Sequence, residues 1–260
     1  MGKILEIMDL SFKEFDNINI SFNDKTFYSI VGSNNSGKTT LFKLISGVIP
    51  TNDIICCNDV DLNNHSIYEY ITNLGIVERL NNKSFIYRLV FDEMLYPLNN
   101  LGLSHKYSIN RINEVLSLFS KEHLLNKKIN ELSYYDKELL LIMIALLHKP
   151  KVLLLDNVLE VFPKDEMKSI IKILKKLDIT VINFTSSLEV ASLSNKIILL
   201  DKGKIVGEYK PSDIYQDDKL FYEHNLEIPL ITDLSIKLKM YDVIDKEYAS
   251  MKEMVGDIWP

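Results

Sequence analysis

The eight residues Gly32-Ser33-Asn34-Asn35-Ser36-Gly37-Lys38-Thr39 complete a G-x-x-x-x-G-K-[ST] pattern, and their flanks restrict the fold further. Before them, Thr26-Phe27-Tyr28-Ser29-Ile30-Val31 is a β-branched and aromatic run that predicts a buried strand. After them, Thr40-Leu41-Phe42-Lys43-Leu44-Ile45 carries apolar residues at helical spacing. Strand, glycine-rich turn and helix direct successive backbone N–H groups and a helix N-terminus at one anion, so the segment predicts a nucleoside triphosphate site. Gly32 and Gly37 allow close backbone approach and positive φ, and Asn35 tolerates the left-handed region. Lys38 would reach the β- and γ-phosphates and the Thr39 hydroxyl would meet Mg²⁺, with Ser33, Asn34, Ser36 and Thr40 completing the cradle.

A net charge of -6 over 260 residues argues against a nucleic-acid surface, and the length allows one large or two small domains. Cys56 and Cys57 are adjacent, which disfavours a structural disulfide between them and suits a reducing cytosol. Met1-Gly2-Lys3 leads straight into the strand-like Ile4-Leu5-Glu6-Ile7, with no secretory leader, and Glu6 stands where myristoylation wants Ser or Thr. The apolar run from Leu139 to Leu147 is too short to span a bilayer and predicts a buried helix, so a membrane connection would run through a partner protein. His65, His105, His123, His148 and His224 lack metal-ligand spacing and read as surface residues.

Strand-like and helix-like segments alternate, the α/β signature. Lys151 to Asp156, Thr180 to Phe184 and Lys196 to Leu200 are solidly apolar, as parallel strands covered on both faces require. Asp201-Lys202-Gly203-Lys204-Ile205-Val206 reads as a hairpin turn, with Gly203 supplying the unusual φ. Between Leu80 and Leu147 the pattern turns helical, with an apolar face along Ile109 to Phe119. The expected units are residues 1–210, with a helical subdomain over 80–148, and a C-terminal extension, 211–260, for which dimerisation is the candidate role.

Leu153-Leu154-Leu155-Asp156 is a hydrophobic strand ending in an acid, suited to holding the water shell of Mg²⁺ downstream of a phosphate loop. A guanine-reading N-K-x-D is lacking, since Asn82-Lys83-Ser84-Phe85 and Asn195-Lys196-Ile197-Ile198 both end without aspartate. The order of landmarks resembles the ABC-transporter ATPase family, and more narrowly the ATPase subunits of energy-coupling-factor importers. Four stretches carry the likeness: the phosphate loop, Leu74-Gly75-Ile76-Val77, Tyr96-Pro97-Leu98-Asn99-Asn100-Leu101-Gly102-Leu103-Ser104, and Glu131-Leu132-Ser133 followed by Lys149 to Asp156. The tail from Asn225 to Leu234 is similar to the subfamily's C-terminal extension. The resemblance implies a mostly parallel sheet with an antiparallel β subdomain, a helical subdomain and a small C-terminal extension.

The departures concern hydrolysis. Where the family has a water-polarising glutamate, Asn157 follows Asp156, and a carboxamide cannot take a proton. Ser186 stands at the switch-histidine position, and Arg79, or Glu78 on a one-residue slip, at the Q-loop glutamine. The signature reads Leu132-Ser133-Tyr134-Tyr135-Asp136, so Ser133 keeps the trans phosphate contact while two tyrosines crowd it and Asp136 adds repulsion. The D-loop has become Val161-Phe162-Pro163-Lys164, and for both Phe12 and Phe15 a place as the adenine-stacking aromatic and a place in the core are open. Glu160 could be a relocated base, though a surface carboxylate is the simpler reading.

By resemblance, such ATPases pair head to tail, with ATP sandwiched between one loop and the partner's signature. The chain is thus expected to bind Mg-ATP, to hydrolyse it poorly, and to work as a heterodimer with a second ATPase on the inner face of the cell membrane, bound to an integral membrane subunit. A non-transport ATP-binding regulatory or scaffold subunit is the alternative.

Overall fold

A computed structural model describes residues 2–214, 218–227, 230–241, 243, 244, 248 and 254–256. The strands β1 (Lys3–Phe12), β2 (Phe15–Asn23) and β3 (Phe27–Val31) precede helix α1 (Lys38–Ile45). Then come β4 (Ile54–Cys57), β5 (Val60–Asp61), α2 (Ile67–Ile71) and β6 (Leu74–Glu78). Helices α3 (Val90–Asn100), α4 (His105–Leu118) and α5 (Tyr134–Leu146) form the helical segment. The chain continues through β7 (Val152–Asp156), α6 (Lys164–Leu174), β8 (Thr180–Thr185), α7 (Leu188–Ala191), β9 (Lys196–Asp201) and β10 (Lys204–Tyr209). Helices α8 (Asp218–Glu223) and α9 (Leu230–Met240) follow.

Two sheets result. An antiparallel one has the order β2-β1-β4-β5, and a six-stranded one the order β10-β9-β3-β8-β7-β6, parallel except for the β9–β10 hairpin. The architecture is the expected one, an α/β fold with an antiparallel β subdomain and a helical subdomain. The parallel strands are apolar throughout because both faces are covered. Tyr28, Ile30, Leu154, Ile182 and Phe184 pack with Leu41 and Phe42 of α1 and with Leu5, Ile7 and Phe22 of the other sheet. Phe27, Leu153, Leu155 and Val181 pack with Leu140 and Met143 of α5 and Ile170 and Leu174 of α6.

Helix α1 starts at Lys38, three residues before its first apolar residue, Leu41, because Gly37 at φ 105° turns the chain directly into the helix. Beyond β10, Ile214, Leu220, Phe221, Leu226 and Ile236 pack on Val31, Leu188, Ile197 and Leu199, so α8 and α9 lie against the sheet. Within the tail, Ile228, Pro229, Trp259 and Pro260 lie outside the described residues.

Two histidines depart from the surface reading. His148 is half-buried with Nε2 2.9 Å from the Leu74 carbonyl, and burial pushes its pKa down. His224 sets Nδ1 2.9 Å from Oδ2 of Asp201, joining α8 to the end of β9. Cys56 and Cys57 are both free on β4, and burial raises the Cys57 thiol to about 12.

Candidate functional site

The loop from Gly32 to Gly37 joins the C-terminal end of the central strand β3 to α1. Its turn is closed by the Ser36 N–H donating to the Ser33 carbonyl at 3.2 Å, with Asn35 at φ 65°. A Cβ on Gly32 would overlap the Leu200 carbonyl oxygen, so only glycine lets the loop lie against β9. The next hairpin braces the loop again: the Gly203 N–H donates to the Ser36 carbonyl at 2.9 Å, and Gly203 takes the expected positive φ, 75°. Lys38 folds its ammonium over the loop and donates to the carbonyls of Gly32 at 2.7 Å and Ser33 at 2.9 Å. Burial lowers its pKa although Glu160 and Asp156 act to raise it.

Strand β7, two strands from β3, delivers Asp156 to the same place. Thr39 Oγ1 donates to Oδ2 of Asp156 at 3.2 Å, and Asn157 Nδ2 donates to Oδ1 at 2.8 Å. Burial raises the Asp156 pKa, the Thr39 bond opposes it, and the charges of Glu78 and Glu160 add to the rise. Asn157 is left-handed at φ 55°, and its N–H donates to the Phe184 carbonyl at 2.9 Å. Glu14, Asn34 to Thr40, Asn157 and Ser186 line a cleft of about 550 Å³. An adjoining recess of about 410 Å³ takes in Thr39, Lys43, Glu78, Arg79, Asp156, Asn157, Glu160 and Ser186. The fold therefore brings Lys38, Thr39, Asp156, Asn157 and Ser186 together, and places Arg79 beside them.

The sequence pattern of the ABC transporter family matches residues 15–160, which run from β2 through the phosphate loop to the turn after β7. The chain belongs to the ABC transporter family. A relative, the energy-coupling factor transporter ATP-binding protein EcfA1 of Streptococcus thermophilus, is 27% identical over 98% of each chain. Among solved structures, cbiO1 from Clostridium perfringens, part of the ABC transporter complex cbiONQ, superposes with a TM-score of 0.76. It is 22% identical, over 89% of this chain and 98% of that one. A dimeric post-hydrolysis ATP-binding cassette, MJ0796 bound to ADP and Pi, gives 0.68 at 22% identity over 80% of this chain and 99% of that one. Both likenesses are of fold.

In this ABC family member the lining of the chain's own loop-side cleft contains none of the signature-like residues Leu132 to Asp136. Ser133 caps α5, accepting from the Asp136 N–H at 3.1 Å and donating to Asp136 Oδ2 at 2.7 Å. Asp136 does not present the bare charge expected of it, because Lys121 lies 2.6 Å from its Oδ1. Burial works to raise the Asp136 carboxyl, and the Lys121 and Ser133 bonds more than offset it, holding it below the usual value. Tyr134 and Tyr135 are 44% and 41% exposed, enough to face a partner. The Tyr134 hydroxyl donates to Glu138 Oε1 at 2.8 Å and also bonds the Arg79 guanidinium.

Phe15 does not offer its ring to a base. Phe15 is buried beneath Gly37, and Phe12 is half-buried with the Lys13 ammonium 5.4 Å from its ring centre. Glu14, between them, lines the cleft instead. Glu160 is likewise no surface carboxylate: its Oε1 accepts from the Ser186 N–H at 3.1 Å and from the Thr185 hydroxyl. The single helical turn Leu159–Val161 folds it back, a signal legible only as its spacing of four residues after Asp156.

Proposed function

We propose that this chain is an ATP-binding subunit of an ABC importer of the energy-coupling-factor kind, binding Mg-ATP at a subunit interface to drive a membrane partner. The observation that carries this is the gathering of Lys38, Thr39 and Asp156 at the loop between β3 and α1. The Thr39 hydroxyl and the Asp156 carboxylate form a hard-oxygen pair suited to Mg²⁺, which would draw charge from the terminal phosphates. Gly32 to Thr40 would cradle the phosphates with backbone N–H groups and the Lys38 ammonium.

The site's own hydrolysis is slow in this reading, since Asn157 and Ser186 offer neither carboxylate nor imidazole, and losing a general base costs roughly 100- to 10,000-fold. The partner is a second, different ATPase: in a homodimer the altered signature would face the altered site twice. No helix among the described residues is long and apolar enough to cross a membrane. An integral membrane subunit would therefore hold the chain at the inner face of the membrane. A cavity of about 590 Å³ between the loop after β6 and the helical segment, lined by Leu80, Phe85, Tyr87, Arg88 and Tyr134, suits a docking segment of that subunit. The C-terminal segment, 211–260, would contribute to dimerisation.

Affinity purification of the tagged chain from its native membrane, with equilibrium binding of Mg-ATP to the purified complex, tests this. Co-elution of a second ATPase and an integral membrane protein is expected. Lys38→Ala should weaken ATP binding at this site at least about 100-fold, the scale of a lost charge-assisted phosphate contact. Elution without a membrane protein would favour a regulatory subunit, and unchanged binding in Lys38→Ala would remove the loop from the site.

A further inference from the structure

Glu160 bridges two loops of the site. It lies on the turn after β7, and its Oε1 accepts from Ser186 N–H and Thr185 Oγ1 at the end of β8. Strand β8 stands beside β3, so the carboxylate on the turn after β7 is tied to the strand next to the one that carries the phosphate loop. It shares the recess lined by Thr39, Asp156 and Asn157, and its charge is felt by the Lys38 ammonium, opposing the effect of burial there. Both bonds engage Oε1, and a carboxylate has a second oxygen with lone pairs of its own. Asp156 is engaged differently, since each of its oxygens already accepts from a neighbour, Asn157 or Thr39. Glu160 is therefore a carboxylate of the recess that is fixed through one oxygen and has its other oxygen free of the two bonds that fix it.

We propose that Glu160 is a catalytic residue of this site, orienting the water that attacks the terminal phosphate and accepting its proton. This rests on the reading of the loop as an ATP site and gives that site a base of its own. The water oxygen bonds to the γ-phosphorus as the bond from that phosphorus to the β–γ bridging oxygen breaks. ADP leaves with the electron pair, and the water proton passes to Glu160 and then to the inorganic phosphate.

Glu160→Gln keeps an oxygen for the Ser186 and Thr185 donors and removes only the basicity. In the full-length chain with Mg-ATP, Glu160→Gln should lower phosphate release at least about tenfold, the low side of a general base's contribution, with ATP affinity within twofold of the parent. Lys38→Ala serves as the background, and failure of the parent to bind ATP would sink the site reading itself. Given binding, the proposal is overturned by a Glu160→Gln rate equal to the parent's. It is equally overturned by a parent rate no higher than that of Lys38→Ala, or by an affinity loss as large as the rate loss.

Discussion

The carboxamide of Asn157 donates to Oδ1 of Asp156 at 2.8 Å, so the residue beside the strand-end acid is committed to clasping it. Oδ2 takes the Thr39 hydroxyl at 3.2 Å. Two neutral donors thus hold one buried carboxylate whose pKa is nevertheless raised, because burial outweighs them.

That balance has a thermodynamic sign. With a native pKa above the unfolded one, the native state binds the extra proton, and the stability it confers is lost as pH rises through the native value. Above the native value the cost of the buried charge is fully present. Asp156→Asn should therefore raise the melting temperature of the ligand-free protein by roughly 2–4 °C, the shift given by about 1 kcal/mol in a domain of this size. It should also abolish the extra stabilisation that Mg²⁺ adds to ATP. Thermal unfolding with ATP, with and without Mg²⁺, checks both.

Asn157 at φ 55° predicts a split outcome for restoring a glutamate there. Left-handed backbone costs a long side chain about 1 kcal/mol more than asparagine, so Asn157→Glu should lower the melting temperature by roughly 2–4 °C. Combined with Ser186→His, the same change should raise Mg-ATP hydrolysis by the complex. A rate that stays at the parent level would show that these two positions do not limit turnover.

Asp136 should matter for acid stability. Its native pKa is lowered, so its contribution is fully present above the ordinary carboxyl value and is lost as pH falls through the native one. Asp136→Asn weakens the Ser133 cap and removes the Lys121 pair, at a cost near 1 kcal/mol at pH ~7. Urea midpoints of parent and variant should differ at neutral pH and converge only as pH falls below the lowered native pKa. A gap that persists at low pH would assign the loss to shape rather than charge.

Much of the site was legible because its chemistry is local. Lys38 and Thr39 follow their glycine at fixed spacing, and Asp156 ends an uninterrupted apolar strand, so neither needed a distant partner to be recognised. What escaped depended on residues far along the chain. The charge of Asp136 is met by Lys121, fifteen residues earlier, across the helical segment. Glu160 looks solvent-facing until β8 brings the Ser186 N–H and the Thr185 hydroxyl to it, and His148 looks peripheral until β6 offers the Leu74 carbonyl. Phe15 reads equally as platform or core, and only its packing beneath Gly37 decides for core.

The strand that carries the phosphate loop hydrogen-bonds only to β8 and β9 among the described strands, about 150 residues further on. During synthesis, β3 therefore leaves the ribosome long before the two strands it pairs with. The Leu200 carbonyl against Gly32 and the Gly203 N–H on Ser36 arrive later still. Closing so long a loop is entropically slow, and until it closes a bare apolar strand is exposed to association with other chains. The nucleotide cradle is thus a late-maturing part of the molecule, completed when translation has passed the β9–β10 hairpin, and a nascent chain stalled before that point would have no formed cradle.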